Sequence, residues 1–442
     1  MGRPCKSRVL SVWMNGERVG DWRRSGGGQE FLYAESWLAS PAARPISLSL
    51  PLRPSQEPYR DGVEEFFDNL LPDNRQIRER IQRRFHTGST GAFDLLTEIG
   101  RDCVGALQLM PEDQLPMNVR RITAEPLSRA GVAEVLSRTL GEGLTREETA
   151  NDTFRISLAG AQEKTALLFH DGKWLRPTQA TPTNRILKLP LGVSPQGIDL
   201  SSSVENEWLC SEIVRAYGIE AAKCRMETFG EFQALVVERF DRRLAAGGKW
   251  YLRLPQEDFC QATGTSPGLK YESDGGPGIA KVMELLLGSE QAEQDRREFM
   301  RTHLVFWLLA AIDGHAKNFS VFLLPGGAYR LAPRYNVLSA YPVLGHGRGR
   351  LSPKKIKMAM AVQGKDRHYR WNEIHVCHWL ETAKRCGLGG MQSIVRDVID
   401  RTPDMVKEVH AKIPKGFSDQ IAGSILGGIK ACTERLKADL SS

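Results

Sequence analysis

Ala310-Ala311-Ile312-Asp313-Gly314-His315-Ala316-Lys317-Asn318 is the stretch on which the reading of this chain turns. The apolar run Leu304 to Ile312 stops abruptly at Asp313, so an apolar helix passes into a polar loop. Asp313 and Asn318 stand five positions apart. Such a pair suits one piece of chemistry. A carboxylate accepts the proton of an incoming hydroxyl, and a neutral amide oxygen nearby holds a magnesium ion without adding repulsion. The spacing is common by chance, and a helix end with polar caps looks the same. The elements around it decide its weight.

Working outward, the segment Ser157-Leu158-Ala159-Gly160-Ala161-Gln162-Glu163-Lys164 lies between two strand candidates, Phe154 to Ala159 and Thr165 to His170. A loop covering phosphates belongs in such a place. With one glycine it is neither a P-loop nor a G-x-G-x-x-G loop, and a plain hairpin is the alternative. Lys188 lies in the apolar strand Arg185 to Leu189. It needs an exposed edge or a partner there. A nucleotide phosphate, with Glu205 or Glu207 from the next helix, would suit it. A strand at Ala234 to Phe240 follows, and then the Asp313 loop. Protein kinases arrange loop, strand lysine, linker strand and an Asp-x4-Asn catalytic loop in this order.

The frame fits a globular protein. At 442 residues, with 41% apolar and 26% charged residues, about three folding units are expected. The net charge of +7 permits acidic or nucleic-acid partners without demanding them. The nine-residue apolar run 304–312 is too short to span a bilayer. Met1 to Arg8 leads into no signal-type apolar core, and Lys6 breaks a myristoylation pattern. Eight scattered cysteines without C-x-x-C spacing read as reduced thiols of a cytoplasmic protein. His375, Cys377, His378 and Cys386 form the one metal-like cluster, better read as a surface patch.

Strands are expected at Val9 to Arg18 and Ile46 to Leu52, and a helix opening at Pro72-Asp73 with Asp73 as cap. Further helices are expected at Val204 to Tyr217, 279–287, 292–312, 372–386, 391–400 and 418–437. Ser418 and Gly387 serve as caps. A hairpin is expected about Pro325-Gly326-Gly327. The division expected is 1–125, a β-rich N-terminal subdomain; 126–255, an upper lobe with the covering loop; and 256–442, a helical lobe with the catalytic loop.

Five ordered runs carry a resemblance: Ile156 to Lys164, Val237-Glu238-Arg239-Phe240-Asp241-Arg242-Arg243, Leu254 to Asp258, Lys270-Tyr271-Glu272-Ser273-Asp274-Gly275-Gly276-Pro277-Gly278, and Asp313 to Ser320. Together they strongly resemble the HipA toxin family, serine/threonine kinases of type II toxin–antitoxin systems, over nearly the whole chain. The resemblance implies an α+β fold, two-lobed and protein-kinase-like, with an added N-terminal β-rich subdomain and a helical C-terminal lobe. It implies ATP and magnesium as cofactors. Ala159, Gly160, Ala161, Gln162, Glu163 and Lys164 would cover the phosphates, and Lys188 would contact the α- and β-phosphates. Glu238, Arg239 and Phe240 would form the hinge to adenine. Asp313 would be the catalytic base, and His315, Ala316, Lys317 and Asn318 would line the phosphate site beside Tyr335. Ser157 would be the autophosphorylated serine, whose modification displaces the loop and shuts the kinase off.

One position departs. The family's metal-binding aspartate falls on Asn336, beside Asn318 the second metal ligand implied. An amide can still ligate magnesium, but one negative charge is lost. Three explanations stay open: an introduced change that makes a lethal kinase tolerable to produce, a naturally weak kinase, or a pseudokinase. The intact motifs elsewhere favour the first.

Family members phosphorylate aminoacyl-tRNA synthetases, arrest growth and promote persistence. They bind a HipB-type helix-turn-helix antitoxin, and the pair represses its operon on operator DNA. Between Pro342 and Arg370, eight Lys or Arg face one acid, Asp366. With Lys384 and Arg385 at the end of the helix 372–386, they are the candidates for DNA contact, against a solvated loop as the plainer reading. The alternative function is a non-catalytic, antitoxin-binding corepressor.

Overall fold

The computed structural model describes residues 8–26, 28–140, 156–160 and 162–441. It divides the chain into two compact units. One comprises Met1–Leu189, Glu227–Gly268 and Ser320–Tyr329; the other comprises Pro190–Met226, Leu269–Phe319 and Arg330–Ser442.

The first unit begins with an antiparallel sheet of β1 (Val9–Met14), β2 (Glu17–Ser25), β3 (Gly28–Tyr33) and β4 (Leu107–Pro111), in the order β3-β2-β1-β4. The strand expected over Val9 to Arg18 is therefore a hairpin. Asn15 and Gly16 both take positive φ, 49° and 91°, the two-residue turn that matches strand twist. The inward face carries Trp22 and Phe31. Trp22 stacks on Phe67 at 4.0 Å. Asn74, not Asp73, caps α1 (Arg75–Phe85), accepting hydrogen bonds from the N–H groups of Gln76 and Ile77. Its Ile81 and Phe85 lean on the core while Arg75 and Arg83 are exposed.

Ile46 to Leu52 forms no strand, only a bridge between Ser47 and Leu50. Pro45 precedes it and Pro51 lies within it, and its polar groups are taken by Glu257, Tyr33 and Gln261. The fully buried Glu257 carboxyl accepts from Leu48 N–H at 2.7 Å and sits 2.5 Å from the Ser47 hydroxyl. Burial pushes its pKa up to about 8, beyond what those hydrogen bonds offset. An unfolded chain releases this proton near 4.5, so the stability tied to the protonated form is complete below that pH. It is lost as pH rises through about 8. Glu257→Gln keeps both partners without the proton. Thermal unfolding between pH 5 and 8 should therefore fall less steeply in the variant than in the parent; identical slopes would contradict this account.

The second sheet has the order β5-β7-β6-β8-β10-β9, with β5 (Ala124–Leu127), β6 (Lys164–His170), β7 (Lys173–Pro177), β8 (Arg185–Lys188), β9 (Cys224–Phe229) and β10 (Phe232–Glu238). The strand expected at Phe154 to Ala159 is not one. Phe154 and Arg155 lie outside the described residues, and 156–159 is irregular because its hydrogen bonds go elsewhere. Ser157 N–H donates to Asp102 O at 3.1 Å and its hydroxyl to Leu70 O at 2.7 Å.

The second unit is mainly helical: α2 (Ser203–Ala216), α3 (Ala292–Leu308), α4 (Val376–Arg385), α5 (Met391–Lys412) and α6 (Asp419–Ser441). The helix α3 stops at Leu308, short of the expected 312, where Ala310 takes φ 46°. By contrast α5 runs past the expected stop at 400, through Pro403, because Met405 and Val409 still pack inside. Gly387 ends α4 with φ 65°, as a C-terminal glycine does. Among the described residues no helix is long and apolar enough to cross a membrane.

Candidate active site

In the second unit the loop after α3 closes on itself. His315 N–H donates to Asp313 O at 2.9 Å, and Asn318 N–H to His315 O at 2.9 Å. The Asn318 side chain then returns to Asp313 O at 2.6 Å. The five-residue spacing is what lets that amide reach back. Phe319 anchors the end of the loop among Phe299, Phe306 and His303, whose ring stacks on it at 4.9 Å. Burial, with Arg334 nearby, pushes the His303 imidazole down to about 3, so it stays neutral in this apolar seat.

Asp313, by contrast, keeps 55% of its side chain exposed, as a base that must meet a substrate requires. His315 is buried, with Nε2 3.9 Å from Asp313 Oδ2. Tyr335 donates to Lys317 O at 2.9 Å, and Asn336 Nδ2 donates to Asn318 Oδ1 at 3.0 Å. The structure thus brings Asp313, His315, Ala316, Lys317, Asn318, Tyr335 and Asn336 together. Asn336 has φ 60°, a left-handed conformation that Asn and Asp both tolerate.

The donors here fit magnesium in type. Asp313 and the two amides offer hard oxygens, and turning the Asn336 amide would present its oxygen in place of its nitrogen. They fit less well in charge, because one carboxylate stands where a second would add affinity. A residue to which the sequence reading gave no role also enters: the Tyr271 hydroxyl donates to Asp313 Oδ1 at 2.5 Å. Its motif was conspicuous in the sequence, but nothing there assigned the tyrosine a partner.

In the first unit Lys188 is buried on β8 directly opposite Lys164 on β6. Side chains opposed in an antiparallel pair share a face, so the two lysines project from the same side of the sheet. Gly160 has φ 106°, and a Cβ there would lie 2.6 Å from the Lys164 amine. Gln162 donates to Leu189 O at 2.6 Å, and Glu163 pairs with Arg80. Ala161 lies outside the described residues. Gln162, Glu163, Lys164 and Arg80 border a cavity of about 390 Å³ also lined by Arg83, Arg84 and Arg138; Lys188 is not among its lining residues. Burial, with the like charges of Arg138 and Arg176, holds the Arg84 guanidinium below its ordinary value. Ser157 is fully buried. Glu205 and Glu207 belong to the other unit.

At the end of β10, Glu238 pairs with Arg185 and the Phe240 ring meets Phe322 edge-on at 5.7 Å. Arg239 points inward. It binds Asp241 at 2.8 Å, Thr183 Oγ1 at 2.9 Å and Cys103 O at 2.8 Å, in a buried network with Asp102, Arg242 and Arg253. Its side chain is structural.

At the end of α4, Lys384 is exposed, whereas Arg385 is engaged with Glu381 at 2.7 Å and Gly364 O at 2.5 Å. His375 pairs with Asp439 at 2.9 Å, and His378 stacks on His368 at 3.8 Å. Among the described residues no three His, Cys, Asp or Glu side chains converge as a metal site.

Comparison with known proteins shows the family and the fold. Residues 156–409 match the HipA-like C-terminal domain and residues 10–110 the HipA N-terminal domain. Y4mE of Sinorhizobium fredii is 34% identical over 93% of this chain and 93% of its own. The serine/threonine-protein kinase toxin HipA of Shewanella oneidensis is 27% identical over 70% of this chain and 69% of its own. Among solved structures, HipA in the Shewanella oneidensis MR-1 complex of HipA, HipB and operator DNA superposes with a TM-score of 0.79. It covers 98% of both chains at 21% identity, so the α+β fold is shared. With both of its halves matched and its length spanned by a relative, the chain belongs to the HipA family.

Proposed function

We propose that the chain is the toxin of a type II toxin–antitoxin module and acts as an ATP- and magnesium-dependent serine/threonine protein kinase in the cytoplasm. The observation that carries this reading is the Asp313–Asn318–Asn336 arrangement, with a half-exposed carboxylate in a loop closed by two side-chain amides. Asp313 is the general base, and Asn318 and Asn336 hold the metal. Magnesium, when bound, neutralises the charge of the transferred phosphate. The amines of Lys188 and Lys164 meet the phosphates, under 159–164. Glu238 to Phe240 meet adenine through backbone, since the Arg239 side chain is committed elsewhere.

Ser157 is the autophosphorylation site. Its hydroxyl is buried in the present conformation, so the segment leaves its seat to be modified, and two added charges keep it from returning. The protein substrate is a translation component of the aminoacyl-tRNA synthetase class, and its modification arrests growth and promotes persistence. With a HipB-type antitoxin the chain represses its own operon. Operator DNA is met through the complex, with Lys384 the better-placed cation. A second reading, a non-catalytic corepressor, is favoured by one observation: the Asn336 amide already donates to Asn318 Oδ1, the oxygen proposed for the metal.

Radiolabel transfer from ATP to Ser157 separates the two readings. Asn336→Asp restores a negative charge facing the metal in a conformation aspartate tolerates. Transfer should rise on the order of 10²-fold, the scale of one electrostatic stabiliser. The variant should also gain more thermal stability from added magnesium than the parent. A variant that transfers nothing leaves the corepressor reading standing.

A further inference from the structure

Lys270 to Gly278 is a conspicuous run to which the proposed kinase machinery gives no task. The structure uses it to build a rigid seat for one hydroxyl. Ala316 N–H donates to Lys270 O at 3.2 Å, which ties the run to the catalytic loop. Tyr271 O accepts from the N–H groups of Asp274 at 3.1 Å and Gly276 at 2.9 Å, closing a tight turn. Gly275 takes φ 101° there, and a Cβ on Gly276 would sit 1.9 Å from Leu269 O, so neither position accepts a side chain without disruption. Beyond the tyrosine, the Glu272 carboxylate accepts from Ala361 N–H at 2.6 Å. The Tyr271 ring stands edge-on to His315, with centroids 5.1 Å apart and planes at 86°. Backbone and ring are thus fixed on both sides of the hydroxyl, which lies 2.5 Å from Asp313 Oδ1.

A carboxylate base has two oxygens, and here they are inequivalent. Oδ1 is occupied by a donor on a rigid support. Oδ2 has the His315 Nε2 atom 3.9 Å away, beyond hydrogen-bond length. We infer that Tyr271 is a positioning residue that holds the Asp313 carboxylate by Oδ1 and presents Oδ2 to the incoming hydroxyl; this deepens, and rests on, the kinase reading above. In the step served, the acceptor O–H breaks and its proton goes to Oδ2. The acceptor oxygen bonds to the γ-phosphorus as the bond from that phosphorus to the β-bridging oxygen breaks, and ADP leaves. Tyr271 gains and loses nothing.

The test is single-turnover labelling of Ser157 over a range of ATP concentrations, in the unaltered chain and in the Asn336→Asp chain, each with and without Tyr271→Phe. Phenylalanine keeps the ring against His315 and removes only the hydroxyl. The maximal rate should fall roughly ten- to a hundredfold, the worth of a hydrogen bond to a charged group. The ATP concentration for half-maximal rate and the thermal unfolding of the chain should stay unchanged. Equal rates with and without the hydroxyl overturn the inference alone. So does a loss that appears in the ATP dependence instead of the rate, and so does radiolabelled phosphotyrosine at 271, which would make the residue an acceptor. Parent chains that both fail to transfer phosphate overturn the kinase reading and this inference together.

Discussion

Asp313→Gln should abolish the proposed phosphate transfer and any growth arrest while the chain stays folded. The chemical loss is large because no other carboxylate is available in the loop: His315 is buried, and Asn318 and Asn336 cannot accept a proton at neutral pH. Removing a positioned base costs about 10²–10⁴-fold in rate. The structural loss is small for reasons visible at the same residue. The side chain is 55% exposed, and the loop is held by backbone: Asp313 O accepts from both His315 N–H and the Asn318 amide. Glutamine retains an oxygen for the Tyr271 hydroxyl. The midpoint of unfolding should therefore move by no more than the few tenths of a kcal/mol typical of surface substitutions, within about 0.5 kcal/mol. The paired measurement is phosphate transfer and denaturant unfolding on one preparation. A stable variant that still arrests growth removes Asp313 from the catalytic role.

Asp102→Asn should have the opposite signature, a heavy loss of stability in the first unit. Its carboxylate accepts from Arg242 at 2.9 Å, lies 3.1 Å from the Arg253 guanidinium and binds the Thr183 hydroxyl at 2.7 Å and N–H at 3.0 Å. Arg239, Arg242 and Arg253 are all nearly fully buried, and the carboxylates paired with them are those of Asp102 and Asp241. The cluster thus carries one excess positive charge as it stands. Burial alone would raise the Asp102 pKa, yet the three guanidinium groups hold it far below the usual carboxylate range. The same burial pushes Arg253 down to about 10. Removing one of the two anions leaves two uncompensated buried cations. Breaking a buried pair in this way costs about 3–5 kcal/mol. Because Arg239 separates Glu238 from Phe240, the loss reaches the strand end proposed to meet adenine. Denaturant unfolding of Asp102→Asn against the parent measures the cost; a loss below about 1 kcal/mol would mean the network relaxes or is hydrated, contrary to the close packing described.

What the sequence alone determined is what depends on neighbours within a few residues. The Asp313-to-Asn318 loop is legible because the hydrogen bonds that close it on itself join residues at most five apart, although its ties to Lys270, Tyr271, Tyr335 and Asn336 come from farther along the chain. The strands expected over 165–170 and 185–189 and the helices expected over 204–217 and 418–437 are legible because periodicity and caps are local; the structure has them at 164–170, 185–188, 203–216 and 419–441. Tertiary structure decided the rest, because the groups concerned are satisfied from far along the chain. Ile46 to Leu52 has strand-like letters but gives its polar groups to Glu257. Ser157 reads as a loop residue, yet its donors are spent on Leu70 and Asp102. The Arg239 side chain, in a run that reads as a hinge, is drawn inward by Asp241 and Thr183. Tyr271 gains its meaning only from Asp313, 42 positions later. A buried polar group takes whichever partner the fold supplies, and a one-dimensional pattern does not encode which distant atoms folding will bring within 3 Å.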